Sequence, residues 1–291
     1  MITRKAYAKI NLGLDVIGRR DDGYHLVRMI MQSIDLSDDL SFEKRDDNKI
    51  VIETSDPRIP TDEHNLIYKA ADQLRSHCNA TDLGVTIRLE KHIPMAAGMA
   101  GGSTDAAATY IALNELWNLG LNTEELCDLA VKKGADIPYC IKGGTALSEG
   151  IGEELTALPD MPSCHIVIAK PLLDVSTAWA YTTLDSAPIA EHPDIDGIKS
   201  AIEEGDLTGI TDRLGNVLEP ITSGKYPVIE EIRQILLANG AKGARMSGSG
   251  PTVFGIFENK DLVSANNAIK ELQGRGIAPE LFLTKPISSN L

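Results

Sequence analysis

The stretch from Pro94 to Ala108, PMAAGMAGGSTDAAA, constrains this chain more than any other. Between Ala100 and Ser103 no side chain extends past Cβ except the Ser103 hydroxyl, so the backbone there can approach a ligand closely. The alanines that follow favour helix, and apolar positions recur through Ala106, Tyr110, Leu113 and Trp117. The pattern predicts a loop feeding a helix N-terminus, where free N–H groups and the helix dipole favour an anion such as phosphate. The competing reading is a close-packed turn whose glycines serve only positive φ. The length of the run and its entry into a helix favour phosphate. Nothing matches the G-x-x-x-x-G-K-S/T loop, and Gly98, Gly101 and Gly102 have the wrong spacing for a dinucleotide fingerprint. No lysine lies between Lys91 and Lys132, so a phosphate bound here is expected to rest on backbone and Ser103.

The overall charge narrows the partners. The 28 basic residues are outnumbered by 42 acidic ones, a formal balance of −14. A nucleic-acid binder needs a basic footprint, and an anionic membrane surface makes the same demand. Neither is expected; a small nucleotide still is, because a glycine loop acts locally. The four cysteines, at 78, 127, 140 and 164, match neither a zinc cluster nor a disulfide framework. They read as reduced, mostly buried residues of a cytoplasmic protein. The first residues lack a signal-peptide core, and no apolar run is long enough to span a bilayer.

At 291 residues the chain is long enough for two lobes. Ile2 to Val16 alternates loosely as an early strand or two short ones. Leu26 to Leu36, Leu40 to Phe42, Lys49 to Glu53 and Val85 to Leu89 are further strand candidates. Asp22-Gly23 is a good hairpin turn pair. Helical spacing runs from Leu66 to about His77, from the glycine stretch to Leu119, and from Thr123 to Lys133. A proline-marked break between 158 and 163 places a lobe boundary near residue 160. Beyond it, His165 to Ala169, Thr252 to Phe257 and Ile277 to Thr284 read as strands. Helices are expected from Ser176-Thr177, over 194–203, 207–218 and 226–239, and over 262–272. The mixture fits an α+β fold with helices segregated on one side of a sheet.

Several polar residues stand in chemically suggestive places. Lys9 and Asn11 interrupt the apolar residues Ile10, Leu12 and Leu14, and period-two geometry puts both on one strand face. Such a pair suits a substrate-facing site; on pattern alone a solvated face is the commoner case. Asp136 follows a helix stop inside an apolar segment, where a carboxylate needs a partner, a role, or a helix end to cap. Tyr24 and His25 offer a ring to stack and an imidazole to hydrogen-bond, or simply a turn surface. Trp179 and Tyr181 suit a pocket wall or core packing equally.

Three segments resemble a known superfamily, that of galactokinase, homoserine kinase, mevalonate kinase and phosphomevalonate kinase (GHMP). Pro94 to Ala107 looks like its central phosphate-binding motif. Lys9-Ile10-Asn11-Leu12 looks like its first motif, and Ser247-Gly248-Ser249-Gly250-Pro251 like its third. The segments Ala8 to Leu12, Asp22-Gly23-Tyr24-His25 and Gly134 to Pro138 are similar to the branch that phosphorylates the 2-hydroxyl of 4-diphosphocytidyl-2-C-methyl-D-erythritol, in the non-mevalonate isoprenoid pathway. The likeness in character and order extends over nearly the whole chain.

The resemblance implies a two-lobe fold. Residues 1–160 would form an ATP- and substrate-binding lobe like the second domain of ribosomal protein S5, and residues 161–291 a ferredoxin-like lobe. It implies ATP as phosphoryl donor, Mg2+ accompanying it, and a small-molecule cytidine diphosphate as acceptor. No protein ligand for a metal is identified, and oligomeric state is left open. By the same resemblance Asp136 matches the catalytic base and Lys9 the lysine beside it. Asn11 would hydrogen-bond near them, Tyr24 would stack on cytosine, and His25 would read its polar edge. Trp179 or Tyr181 would supply the opposite wall. Pro94, Met95, Ala96, Ala97, Gly98, Met99 and Ala100 belong to the ATP loop. Gly101, Gly102, Ser103 and Thr104 are its expected β-phosphate contacts. Ser249 and Gly250 would help close the cleft.

Overall fold

Two long strands dominate the first half of the chain. In the computed structural model, which describes residues 1–186 and 188–289, β1 (Ile2–Arg19) and β2 (His25–Arg45) form one antiparallel hairpin. The turn between them contains Gly23 at φ +92, which glycine adopts without steric cost. These strands absorb what the sequence divides into several shorter ones. The alternation is broken because register shifts interrupt the pairing after Tyr7, Asn11 and Val16, and each shift resets which face a side chain takes. The segment from Ala8 to Val16 is buried on both faces, so it reads as a nearly continuous apolar run.

The first sheet runs β3 (Ile50–Thr54), β4 (Gly84–Glu90), β2, β1 and β8 (Gly215–Asn216), with β5 (Thr145–Glu149) pairing with both β2 and β6 (Glu154–Ala157). β3 and β4 are parallel and joined through the helix α1 (Leu66–His77). α2 (Gly101–Leu116) packs against β1, α1 and the short helix α4 (Ile137–Lys142). α2 is buried nearly all round from Thr104 to Tyr110. Its alanines make that possible, since a helix apolar on every side must be enclosed by neighbours. α3 (Thr123–Ala130) is held at its start by a capping box between Asn122 and Glu125.

The second sheet is built from β7 (Cys164–Lys170), β9 (Gly243–Met246), β10 (Val253–Glu258) and β11 (Glu280–Thr284), all antiparallel. Its spatial order is β11-β7-β10-β9, the ferredoxin-like arrangement in which the first and third strands lie at the centre. α9 (Val228–Ala238) and α10 (Leu262–Arg275) pack on this sheet. α5 (Thr177–Leu184), α6 (Ile195–Glu204), α7 (Leu207–Asp212) and α8 (Glu219–Lys225) fill the connection between β7 and β9. One buried apolar cluster joins Ile10 and Leu12 of β1 to Ile166 and Ile168 of β7 and Phe254 of β10. The two sheets therefore share core.

The helix expected over 207–218 is interrupted. It stops with α7 at Asp212, and Gly215–Asn216 instead forms β8, a two-residue parallel addition to β1. A Cβ at Gly215 would lie 2.5 Å from the Cβ of Pro193, so only glycine permits that approach. α8, starting at Glu219, has no counterpart in the sequence reading.

Candidate active site

The cavity that gathers the motif residues has a volume of about 960 Å³ and is lined from both lobes. Its walls include Lys9 of β1, Tyr24 and His25 of the first hairpin, the glycine loop, Asp136, Tyr181 of α5, and Gly248 with Ser249.

The glycine loop is shaped for an anion. Ala100 caps α2 in the left-handed region at φ +59 and offers no side-chain cap. The Thr104 N–H donates to the Ala100 carbonyl at 2.9 Å. The N–H groups of Gly101, Gly102 and Ser103 precede that first helical bond and are the open donors of the helix end. Gly98 and Gly248 explain why small residues are required on both sides. A Cβ on Gly98 would lie 2.2 Å from the Ser247 carbonyl, and one on Gly248 would lie 2.9 Å from the Gly98 carbonyl. Ser247 Oγ also donates to the Gly98 carbonyl at 3.0 Å. The third motif is thus docked on the second, and Asn216 fixes it by donating to the carbonyls of Met246 and Gly248, each at 2.8 Å.

Lys9 and Asn11 do share a strand face, and it is not solvated: they are 5% and 1% exposed. Lys9 Nζ donates to Asn11 Oδ1 at 2.6 Å. No ion pair to Lys9 occurs among the described residues. A buried ammonium held only by a neutral amide is a costly arrangement unless an anion completes it. The Lys9 N–H also bonds the Met99 carbonyl at 3.2 Å, tying the strand to the glycine loop.

Asp136 occupies the position before α4, yet its side chain makes no capping bond. No hydrogen bond or ion pair to its carboxylate occurs among the described residues, so helix capping does not account for it. Its charge and that of Lys9 both act on the buried thiol of Cys140, in opposite directions; burial is the largest cause of that thiol's raised pKa. The two catalytic candidates therefore share one neighbourhood as well as one cavity.

Not every candidate reaches the cavity. Thr104 is buried with its hydroxyl donating to the Tyr7 carbonyl at 2.7 Å, so both of its donors are committed and it is not poised for a β-phosphate. The Met99 side chain is buried in the core shared by the two sheets. Asn11 does not line the cavity; it holds Lys9 instead. Trp179 turns away, with the Lys225 ammonium 4.0 Å above its ring and Tyr226 at its edge. Of these two, Tyr181 faces the site, its ring 4.9 Å from that of His25. The helical period decides this: residues two apart on α5 point in different directions.

The structure also brings in groups that the sequence does not separate from surface residues, Lys91 and Asn65 among them. Lys91 pairs with Asp38 and, at 2.8 Å, with Asp105 in the first turns of α2. A Cβ on Gly101 would lie 3.1 Å from Lys91 Nζ, so a lysine does stand at this helix end, contributed from β4's exit rather than from the loop. Burial opposes its charge, but Asp105 and Asp38 outweigh burial and raise its pKa. Burial pushes the Asp105 carboxyl up to about 8, with the charge of Asp38 adding to the rise. Asp185, at the end of α5, pairs with His25 and Arg19. Arg58, Pro60, Asn65 and Leu66 also line the cavity, with Leu66 beside Gly102 of the glycine loop. Asn65 caps α1 through its side chain. Charge pairs made across tens of residues leave no local pattern to read.

Family models for the N-terminal and C-terminal domains of GHMP kinases match residues 65–144 and 197–278. A 4-diphosphocytidyl-2-C-methyl-D-erythritol kinase of Lachnospira eligens is 49% identical over 284 residues, 98% of each chain. The chain belongs to this family of GHMP kinases. A relative of the same name from Enterococcus faecalis is 48% identical over 98% of this chain and 99% of its own. A crystal structure of a 4-(cytidine 5'-diphospho)-2C-methyl-D-erythritol kinase superposes with a TM-score of 0.81 at 32% identity, covering 98% of this chain and 99% of that one. A homoserine kinase from Cytophaga hutchinsonii, at 18% identity and a TM-score of 0.77 over 99% and 95% of the two chains, shares the fold. The GHMP kinase fold, with its two lobes, is the one described above.

Proposed function

We propose that this GHMP kinase transfers the γ-phosphoryl group of ATP to the 2-hydroxyl of 4-diphosphocytidyl-2-C-methyl-D-erythritol, giving the 2-phosphate and ADP. The single observation that carries the residue assignment is the presence of two unsatisfied charges on one cavity: among the described residues the buried Lys9 ammonium is held only by an amide, and the Asp136 carboxylate has no partner. Asp136 accepts the hydroxyl proton as oxygen attacks phosphorus, and Lys9 stabilises the negative charge that grows on that oxygen and on the transferred group. Asn11 orients Lys9. The N–H groups of Gly101, Gly102 and Ser103 hold the donor phosphates at the start of α2. Cytosine stacks on Tyr24 and is read by His25, with Tyr181 behind the imidazole. The adenosine end lies toward Pro60, Asn65 and Leu66.

Mg2+ enters with the nucleotide. The Ser103 hydroxyl, which has no partner among the described residues, is a hard-oxygen donor on the cavity wall, the type this ion takes. When bound it would neutralise phosphate charge. Transfer itself depends on positioning and electrostatics from this chain's own groups. We take residues 1–160 and 161–291 as the two lobes. None of the described helices is long and apolar enough to cross a membrane, and no disulfide joins the cysteines among the described residues, which supports a cytoplasmic enzyme.

A coupled ATP-consumption assay across the cytidine diphosphate alcohol, mevalonate and homoserine tests the substrate. Turnover is expected with the first alone. Preference for either aliphatic alcohol would overturn the proposal.

A further inference from the structure

Asp185 ends α5 and divides its two oxygens between residues that face each other at the end of the first hairpin. His25 Nε2 lies 2.7 Å from Asp185 Oδ1, and Arg19 Nη1 lies 3.1 Å from Oδ2. Arg19 and His25 are direct register partners of β1 and β2. The hydrogen bond from His25 is the main cause holding the Asp185 carboxyl below its ordinary range, with the Arg19 charge contributing. Asp185 is therefore an acceptor at neutral pH. A carboxylate oxygen can only accept, so Nε2 of His25 must carry a hydrogen. In a neutral imidazole that leaves Nδ1 as an acceptor, and Nδ1 has no partner among the described residues. The ring lines the cavity, is 12% exposed, and has the Tyr181 ring behind it at a tilt of 36°.

We infer that Asp185 is a specificity-determining positioning residue: it locks neutral His25 as the Nε2–H tautomer, so that Nδ1 selects a base presenting an amino group. This rests on the reading that Tyr24 and His25 hold the nucleobase. Cytosine carries a 4-amino donor, and uracil carries a carbonyl acceptor at the same place. Nδ1 would pair with the first and leave two acceptors facing each other with the second. A buried polar mismatch of that kind discriminates strongly, whereas ring stacking on Tyr24 does not tell the two bases apart. The device spans the molecule, because His25 belongs to the first sheet and Asp185 to a helix that follows β7.

The test compares wild type, Asp185→Asn and Asp185→Leu with the cytidine substrate and its uridine analogue, at mildly alkaline pH where an imidazole is neutral. Asp185→Leu should raise KM for the cytidine substrate about tenfold and lower the cytidine-over-uridine preference by at least about tenfold, the effect of one lost hydrogen bond and its mismatch. Its kcat and its KM for ATP should not change. Asp185→Asn still presents an oxygen to Nε2–H and should keep the preference within about threefold. Nitrogen-15 NMR of the imidazole should report the Nε2–H form in wild type and Asp185→Asn, and a tautomer mixture in Asp185→Leu. Unchanged preference in Asp185→Leu overturns the inference, as does a loss in Asp185→Asn equal to that in Asp185→Leu. Tyr24→Ala and His25→Ala separate the two levels. If they raise the cytidine KM while Asp185→Leu leaves the preference intact, only the role of Asp185 is lost. If they leave that KM unchanged, the base-pocket reading fails and takes this inference with it.

Discussion

The charges that matter at the residue scale are those with nothing to balance them. Lys9 and Asp136 line one cavity without salt-bridge partners among the described residues, whereas Lys91 in the same cavity is engaged by both Asp38 and Asp105. Replacing Asp136 with Asn removes the proton acceptor and keeps the shape. Steady-state kinetics should show kcat falling by about 10²–10⁴, with KM for both substrates nearly constant; a normal kcat would remove Asp136 from the chemistry. Tyr24 is 59% exposed, a costly position for an aromatic ring without a ligand to cover it. Tyr24→Ala should raise KM for the cytidine substrate at least about tenfold more than KM for ATP, and equal losses would exclude stacking. Lys9, Asp136, Tyr24 and His25 draw notice locally, as a charge in an apolar run or a ring beside a turn, but only the resemblance implies their roles; the structure gathers all four on one cavity. Asp185, Arg19, Asp38 and Asp105 draw no such notice, because each acquires its meaning from a partner distant in sequence. Thr104 misled for the opposite reason. Its place in a phosphate motif is visible in sequence, but the Tyr7 carbonyl that takes its hydroxyl is not.

At the scale of elements, α2 carries the phosphate end of the site, and its first turn is set by glycine contacts on one side and by buried charge on the other. Gly98→Ala would place a methyl group at a left-handed φ of +70 and 2.2 Å from the Ser247 carbonyl. It should cost at least about 2 kcal/mol, and weaken ATP binding by parting the second and third motifs; denaturant titration and KM for ATP read the two effects. Asp105 binds its proton in the folded chain up to about pH 8, well beyond the range in which an unfolded aspartate releases it, near ~3.9. The folded state then holds more protons than the unfolded one between those values, so this carboxyl makes stability fall as pH rises through them. Asp105→Asn should flatten that part of the stability-pH curve relative to wild type. Parallel curves for the two proteins would contradict the assignment. The helices and strands near Leu66, Thr123 and His165 follow their sequence periods closely. The failures, the broken helix at Gly215 and the merged strands of the first hairpin, occur where tertiary pairing overrides local pattern: β8 adds to β1, and the register shifts move residues between faces.

Over the whole molecule, the two sheets are joined by two apolar clusters that each draw on both and by β8, which leaves the second half of the chain to extend the first sheet. Chain beyond β11 also returns to β2 at Ile34 and to Gly143 at the end of α4. Such shared burial couples the lobes, and calorimetry should record one cooperative unfolding transition; two resolved transitions would show that the lobes fold independently. The cavity sits where this coupling places both lobes around it, with donor phosphates at one motif and an acceptor site at another. The claim that unites these scales is transfer of a phosphoryl group to a particular hydroxyl. Phosphorus NMR of a reaction containing ATP, Mg2+ and 4-diphosphocytidyl-2-C-methyl-D-erythritol tests it directly. A new phosphomonoester signal coupled to the C2 position, growing in step with ADP while the substrate's diphosphate signals persist, is the predicted result. ADP released without a monoester, or a monoester on another hydroxyl, would contradict it.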